Sequence, residues 1–102
     1  MMRALGIIEV FGLTTALVAA DAACKAGNIK IEALDNNKPA NADKLLVPVL
    51  IIVKFRGSIS DVEMAMKAAI SAAKKISGIN CSKIIANPDK GIENFINKSC
   101  IK

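Results

Sequence analysis

The chain has 102 residues, of which 53% are hydrophobic, and this length and composition predict one folded domain rather than a disordered chain. Its 14 Lys and Arg outnumber its 9 Asp and Glu and give a net charge of +5, but these cations are spread along the chain, unlike the clustered footprint of a nucleic-acid-binding protein. The chain has no histidine, and this removes the side chain that most often serves as general base or metal ligand.

The three cysteines, Cys24, Cys81 and Cys100, are widely spaced and form no C-x-x-C pair. This pattern indicates reduced thiols rather than a disulfide framework or a zinc site. A nucleophilic thiol or hydroxyl needs a neighbouring base, and no histidine is present to supply one. The sequence therefore favours a protein that is not an enzyme and that carries no metal or cofactor.

The first predicted elements are a strand and a helix. "RALGIIEVFG" is a β-rich run closed by Gly12, and "LTTALVAADAACKAG" is an amphipathic helix that ends at Gly27. The apolar stripe of this helix is predicted to face the core and comprises Leu13, Leu17, Ala20, Cys24 and Gly27. Cys24 is accordingly expected to be a small core residue.

The same N-terminal segment resembles a signal peptide, because Arg3 precedes an apolar stretch that ends in small residues. Glu9 interrupts the apolar stretch, however, and Asp21 stands where a lipoprotein cleavage site needs an apolar residue. We therefore expect the segment to stay in the protein as its first strand and helix.

Two strands follow, separated by a polar stretch. "NIKIEAL" alternates as a half-exposed strand does, and "LLVPVLIIVKF" is a buried strand whose apolar run is too short to span a membrane. Between them, "DNNKPANADK" is longer than most hairpin loops, and long loops are often functional. Its spacing does not fit a calcium loop, because Pro39, Ala40 and Leu46 stand where ligands or glycine are required. Asp35 and Asp43 are expected to be solvated loop acids.

A second helix begins after "RGSISDVE", where Ser60 and Glu63 form a capping-box pattern, and Gly78 is predicted to end it. Its apolar stripe recurs at helical spacing and comprises Val62, Ala65, Met66, Ala69, Ala72, Ala73 and Ile76. "NCSKIIAN" is a fourth strand, and "DKGIENFINKSCIK" is predicted to form a short terminal helix that docks Ile92, Phe95 and Ile96.

The order β-α-β-β-α-β predicts an α+β, ferredoxin-like fold, in which a four-stranded antiparallel sheet carries the helices on one face. We expect a single domain over residues 1–102, with a core at about 3–88 and a C-terminal helix at about 89–102. RNA-binding domains of this topology stack bases on exposed aromatic residues, but here only Phe55 and Phe11 are available. Although Lys54 and Arg56 are suited to phosphate contacts, the missing stacking platform argues against RNA binding.

Three segments in this order resemble the shell proteins of bacterial microcompartments. They are "RALGIIEVFGLTTALVAADAACKAGNIKI", "IIVKFRGSISDVEMAMKAAISAA" and "SKIIANPDKGIENF", and together they span about residues 3–95. The resemblance implies a BMC-domain subunit that forms a cyclic homo-hexamer and tiles with other shell proteins around enclosed enzymes. It also implies a cytoplasmic location in the microcompartment shell, with neither nucleic acid nor membrane as partner.

In that family the loop between the second and third strands lines a central pore. The resemblance therefore implies pore-lining roles for Asn36, Asn37, Lys38 and Asn41, although residues 36–48 are longer than the usual loop and contain no glycine. Six copies of Lys38 would favour polar or anionic metabolites.

The resemblance also implies that Lys25 and Asn28 lie at the edge between hexamers, where Asn87 replaces the usual arginine. An alternative that the residues leave open is a small cytosolic regulatory domain. It would bind an anionic metabolite through the loop at 35–45, using Lys38 and Lys44.

Overall fold

The structure, a computed structural model, describes residues 3–37 and 50–97. The strands are β1 (Ala4–Phe11), β2 (Lys30–Asn37), β3 (Leu50–Gly57) and β4 (Ile79–Ile85). The helices are α1 (Leu13–Ala26), α2 (Ile59–Lys74) and α3 (Glu93–Ile96), and a 3-10 turn at Lys90–Ile92 precedes α3. Among the described residues, no helix has both the length and the apolar character needed to cross a membrane.

The strands form one sheet in the order β2-β3-β1-β4, and every neighbouring pair is antiparallel. The α+β, ferredoxin-like prediction is therefore confirmed. β1 and β3 are the central strands, while β2 and β4 form the two edges.

The core lies between the sheet and the pair α1 and α2. Alternate residues of the central strands point into it, among them Ile8, Val10, Val53 and Phe55. The helices contribute mainly alanines to the core, namely Ala16, Ala19, Ala23, Ala65, Ala69 and Ala73. Because these side chains are single methyl groups, the helices approach each other and the sheet closely.

The predicted face of α1 is wrong. The buried residues of α1 are Thr15, Ala16, Ala19 and Ala23, whereas Leu13 and Leu17 are 46% and 53% exposed and Cys24 is also exposed. The close approach of α2 and the sheet leaves room only for small side chains on the inner face. The larger apolar side chains of α1 therefore point outward.

The predicted stripe of α2 is buried at Val62, Ala65, Met66, Ala69 and Ala73, but the predicted cap is wrong. The N-cap is Ser58, whose Oγ accepts a hydrogen bond from the Asp61 backbone N–H at 3.2 Å. Ser60 already lies inside the helix, so the capping pattern is shifted by two residues from its predicted position.

The opposite face of the sheet carries the short helix α3. Residues that alternate with the core positions of β3 reach it: Lys54 Nζ donates to the Phe95 carbonyl at 2.8 Å, and Arg56 forms an ion pair with Glu93 at 2.7 Å. Of the three residues predicted to dock, only Ile96 is buried, at 3% exposure, while Phe95 is 68% exposed. Residues 98–102 of the predicted C-terminal helix lie outside the described residues.

Candidate assembly surfaces

The sheet has two ends, and each carries one group of the predicted site residues. At one end, here called the loop end, Asn37 pairs with Leu50 and Phe11 pairs with the same residue. At the other, here called the edge end, Ala4 pairs with Gly57. Each strand has seven or eight residues, so the two ends are separated by about 23 Å at ~3.3 Å per residue.

The predicted pore residues begin at the loop end. Asn36 and Asn37 are the last residues of β2, and the Asn36 side chain is exposed. Lys38 and Asn41 lie outside the described residues, as do Asp43 and Lys44. Their predicted roles therefore remain predictions.

Asp35 is not a solvated loop acid, contrary to the prediction. It lies in β2, and its Oδ2 is 3.6 Å from Lys54 Nζ, with side-chain exposures of 16% and 13% for the two residues. Its Oδ1 accepts a hydrogen bond from the Asn36 backbone N–H at 2.9 Å. The pair depends on the register of β2 on β3, in which Ala33 lies opposite Lys54 and Asp35 lies opposite Ile52.

At the edge end, Lys25 and Asn28 lie where α1 leads into β2, whereas Asn87 follows β4 on the opposite edge of the sheet. Lys25, at the end of α1, pairs with Asp21 at 2.8 Å, and this hydrogen-bonded, attractive carboxylate raises the pKa of Lys25. Both side chains are well exposed, so the pair adds little stability. The Asn28 backbone N–H donates to Asp61 Oδ1 at 3.1 Å, which fixes the end of α1 beside the start of α2.

Arg3 contacts one of the predicted edge residues, although its position in the sequence gives no sign of this contact. Its Nε donates to Asn87 Oδ1 at 2.9 Å, although 84 residues separate the two in the chain. β4 carries Asn87 to this position, because Ile85 pairs with Leu5 at the start of β1. The guanidinium group of Arg3 therefore lies beside the side chain of Asn87.

The outer face of α1 presents an apolar stripe, here called the α1 stripe, formed by Leu13, Leu17 and Cys24. The hydroxyls of Thr15 and Ser77 are 2.6 Å apart and hold the segment that follows α2 beside the first turn of α1. Ile76, in that segment, is also exposed. Large apolar patches on a protein surface commonly mark interaction sites.

Glu9, on β1, is a buried carboxylate with 7% exposure. Its Oε1 accepts a hydrogen bond from Asn80 Nδ2 at 2.6 Å and lies 3.7 Å from Cys81 Sγ. Partial burial of the thiol and, after it, the negative charge of Glu9 raise the pKa of Cys81. Because the thiolate is the nucleophilic form, this arrangement makes Cys81 a poor nucleophile.

A small apolar groove of ≈ 240 Å³ separates α3 from the sheet and is lined by Leu5, Ile7, Lys54, Ile85, Ile92, Phe95 and Ile96. Lys54 and Arg56, the two residues suited to phosphate contacts, both bind the C-terminal segment, Lys54 through the Phe95 carbonyl and Arg56 through Glu93. In the part of the chain that the structure describes, no three His, Cys, Asp or Glu side chains come together in a way that could hold a metal ion.

Comparison with known proteins adds a family to this geometry. The family model described as "BMC domain" matches residues 4–88. The bacterial microcompartment shell protein PduA of Citrobacter freundii is 28% identical over 96 residues, which cover 94% of this chain and 94% of PduA.

The bacterial microcompartment shell protein PduK of Citrobacter freundii is 28% identical over 92 residues, which cover 90% of this chain but 54% of PduK. The chain thus spans about half the length of this relative. Among solved structures, a microcompartment protein from Desulfitobacterium hafniense matches with a TM-score of 0.74 at 23% identity, covering 92% of this chain and 48% of that chain. This last likeness concerns the fold alone.

Proposed function

Because this chain belongs to the BMC domain family of bacterial microcompartment shell proteins, we propose that it is a non-catalytic shell subunit that assembles into a cyclic hexamer with a central pore. In this role the protein performs no chemistry. Its copies form a closed ring. The ring is a building unit of the shell, and its central pore is a narrow passage through the shell. The ring would stand in the shell of a cytoplasmic microcompartment.

The observation that carries the proposal is the α1 stripe. Leu13 and Leu17 are each about half exposed in the single chain although both are large and aliphatic. Burying apolar surface contributes about 25 cal/mol per Å², so a neighbouring copy that covers the stripe gains substantial free energy. A head-to-tail contact of this kind generates a ring when its rotation closes.

The predicted site residues at the two ends of the sheet support one orientation of the subunit within the ring. Asn36 and Asn37 lie at the loop end, and Lys25, Asn28 and Asn87 lie at the edge end, about 23 Å away at ~3.3 Å per residue. A wedge-shaped subunit with the loop end toward the axis puts polar side chains around the opening and the other three residues on the perimeter. Polar or anionic metabolites are the cargo that such a lining favours, with Lys38 and Asn41 completing it.

The perimeter is where hexamers would meet other shell proteins. Lys25 and Arg3 supply two cations there, and Asn87 accepts a hydrogen bond from Arg3 rather than supplying a charge itself. The enzymes enclosed by the shell are further proposed partners.

The test is the solution mass of the purified protein, measured by light scattering after size exclusion at two concentrations. We expect six copies of the 10.7 kDa chain at both. Leu17→Asp should shift the mass to that of one chain, because a carboxylate would be buried in the interface. Thr14→Asp, on an exposed polar position of the same helix, is the matched control and should keep the ring. A wild-type protein that stays monomeric would refute the proposal and favour the regulatory domain.

A further inference from the structure

Helix α3 depends on contacts outside itself. It has only four residues, and isolated helices of that length are unstable in water. Among the described residues, the contacts that hold it against the sheet include the buried side chain of Ile96, the Arg56–Glu93 ion pair, and the hydrogen bond from Lys54 to the Phe95 carbonyl. The last of these satisfies a carbonyl in the last turn of the helix, where no partner within the helix is available.

Lys54 serves two elements at once. Its Nζ donates to Phe95 in α3 at 2.8 Å and lies 3.6 Å from Asp35 Oδ2 in β2. Only the first of these is a hydrogen-bond distance, since charge-assisted N–H···O bonds are about 2.7–2.9 Å long. The ammonium group is thus hydrogen-bonded to the Phe95 carbonyl and paired at a longer distance with the Asp35 carboxylate.

Asp35 connects Lys54 to the backbone of β2. One of its oxygens faces Lys54, and the other accepts the hydrogen bond from the Asn36 N–H. β2 is an edge strand of the sheet, and among the described residues it is paired with β3 alone. A change in the position of Lys54 would thus act directly on the Asp35 carboxylate. This carboxylate holds the backbone N–H of Asn36, near the end of β2.

From these contacts we infer that Lys54 couples the docking of α3 to the backbone at the end of β2. When α3 is docked, Lys54 is shared between Phe95 and Asp35, and the Asp35 carboxylate holds the Asn36 N–H. When α3 leaves, the ammonium group loses its carbonyl acceptor and closes on Asp35. The carboxylate then turns toward Lys54, and its bond to Asn36 weakens. One consequence, and only this one, rests on the ring proposed above. In that ring, the C-terminal helix would influence the strand that leads into the pore loop.

Hydrogen exchange at single amides, read by mass spectrometry with electron-transfer fragmentation, tests the coupling in the full-length protein. Glu93→Gln and Ile96→Ala each remove one anchor of α3 and should raise exchange in α3. They should also raise exchange at the Asn36 amide by about three- to tenfold, a range typical of coupling between sites. Glu63→Gln, an exposed carboxylate on α2, is the matched control and should change neither.

The Lys54→Met background decides whether Lys54 carries the effect. There, the two α3 variants should still raise exchange in α3 but should no longer change it at Asn36. The inference is overturned if Asn36 does not respond in the native background, if it responds equally with Lys54→Met, or if neither variant releases α3. Light scattering on the same samples reports the ring separately, so a failure of the hexamer and a failure of the coupling are distinguishable.

Discussion

Ser58 and Ser60 each stand three residues before an acidic residue, yet only Ser58 caps α2. Its Oγ accepts from the Asp61 N–H and donates to Asp61 Oδ2 at 2.7 Å. Ser58→Ala should therefore lower the free energy of unfolding by about 1 kcal/mol, the usual cost of losing an N-cap side chain. Urea denaturation at one fixed protein concentration measures it.

Ser60→Ala is the matched control, since it removes the same hydroxyl two residues later. We expect a change of less than about 0.5 kcal/mol, as for most exposed positions. Equal losses for the two variants would show that the cap does not stabilise the helix.

Asp61, at the start of the same helix, makes the stability of the fold depend on pH. The hydrogen bond from Ser58 and, after it, the one from the Asn28 backbone lower the pKa of Asp61 below its ordinary value of 3.8. The carboxylate therefore stabilises the fold fully above that value, and the stabilisation is lost as the pH falls from it through the lower pKa of the folded state.

Asp61→Asn should consequently flatten the loss of stability between about pH 5 and about pH 3. Urea midpoints across that range measure the slope for wild type and variant. Glu63→Gln changes an exposed carboxyl in the next turn and should keep the wild-type slope. An unchanged slope for Asp61→Asn would contradict the assignment.

Cys81 should react slowly with alkylating reagents, because burial and the charge of Glu9 raise its pKa. Glu9→Gln keeps an oxygen that accepts from Asn80 but removes the charge. Alkylation of Cys81 by iodoacetamide at about pH 8 should then accelerate, since a lower pKa of the thiol raises the fraction present as thiolate. Peptide mass mapping resolves the sites, and Cys24 in the same sample is the internal reference. A rate that stays unchanged would show that the charge of Glu9 does not control the reactivity of the thiol.

At the scale of elements, the contact between β1 and β3 depends on one missing side chain. Gly6 pairs with Phe55, and a Cβ at Gly6 would lie 2.4 Å from the Phe55 ring. Gly6→Ala should therefore lower the free energy of unfolding by about 1–3 kcal/mol through overpacking. Urea denaturation measures it, and the same change in a Phe55→Leu background should cost less, because the ring that it meets is gone. If the losses in the free energy of unfolding for Gly6→Ala and Phe55→Leu are additive, the clash does not involve the Phe55 ring.

The order of the elements was predictable because alternation, helical spacing and glycine positions all agree along the chain. The inner face of α1 was not. Its small residues at 16, 19 and 23 follow the same spacing as its larger apolar residues, and hydrophobicity alone selected the larger set. The deciding factor is the distance between α1 and α2, which depends on alanines contributed by both helices. Such a distance is set by tertiary packing and leaves no local signal.

The same limit applies to contacts across the whole molecule. That Asn36 and Asn37 lie at one end of the sheet and Lys25 at the other follows from the order of the elements along the chain, since β2 and α1 end at opposite ends of the sheet. The bond between Arg3 and Asn87 does not, because it depends on β1 and β4 being neighbours. The Asp35–Lys54 pair needs the register of β2 on β3 as well. Each joins residues whose spacing in the chain carries no information.

Arg3 carries the last prediction, which concerns how rings meet one another. Asn87 has no charge of its own, and its Oδ1 accepts a hydrogen bond from the Arg3 guanidinium, which thus stands at the proposed perimeter. If hexamers tile through this end, Arg3→Gln should leave the solution mass of the ring unchanged and reduce ordered sheets under the electron microscope at about 0.15 M salt, where only short-range charge contacts persist. Lys67→Gln, which removes an exposed cation from the middle of α2, is the matched control and should form sheets as the wild type does. Sheets that survive Arg3→Gln intact would assign the perimeter contact to Lys25 and Asn28 without the guanidinium.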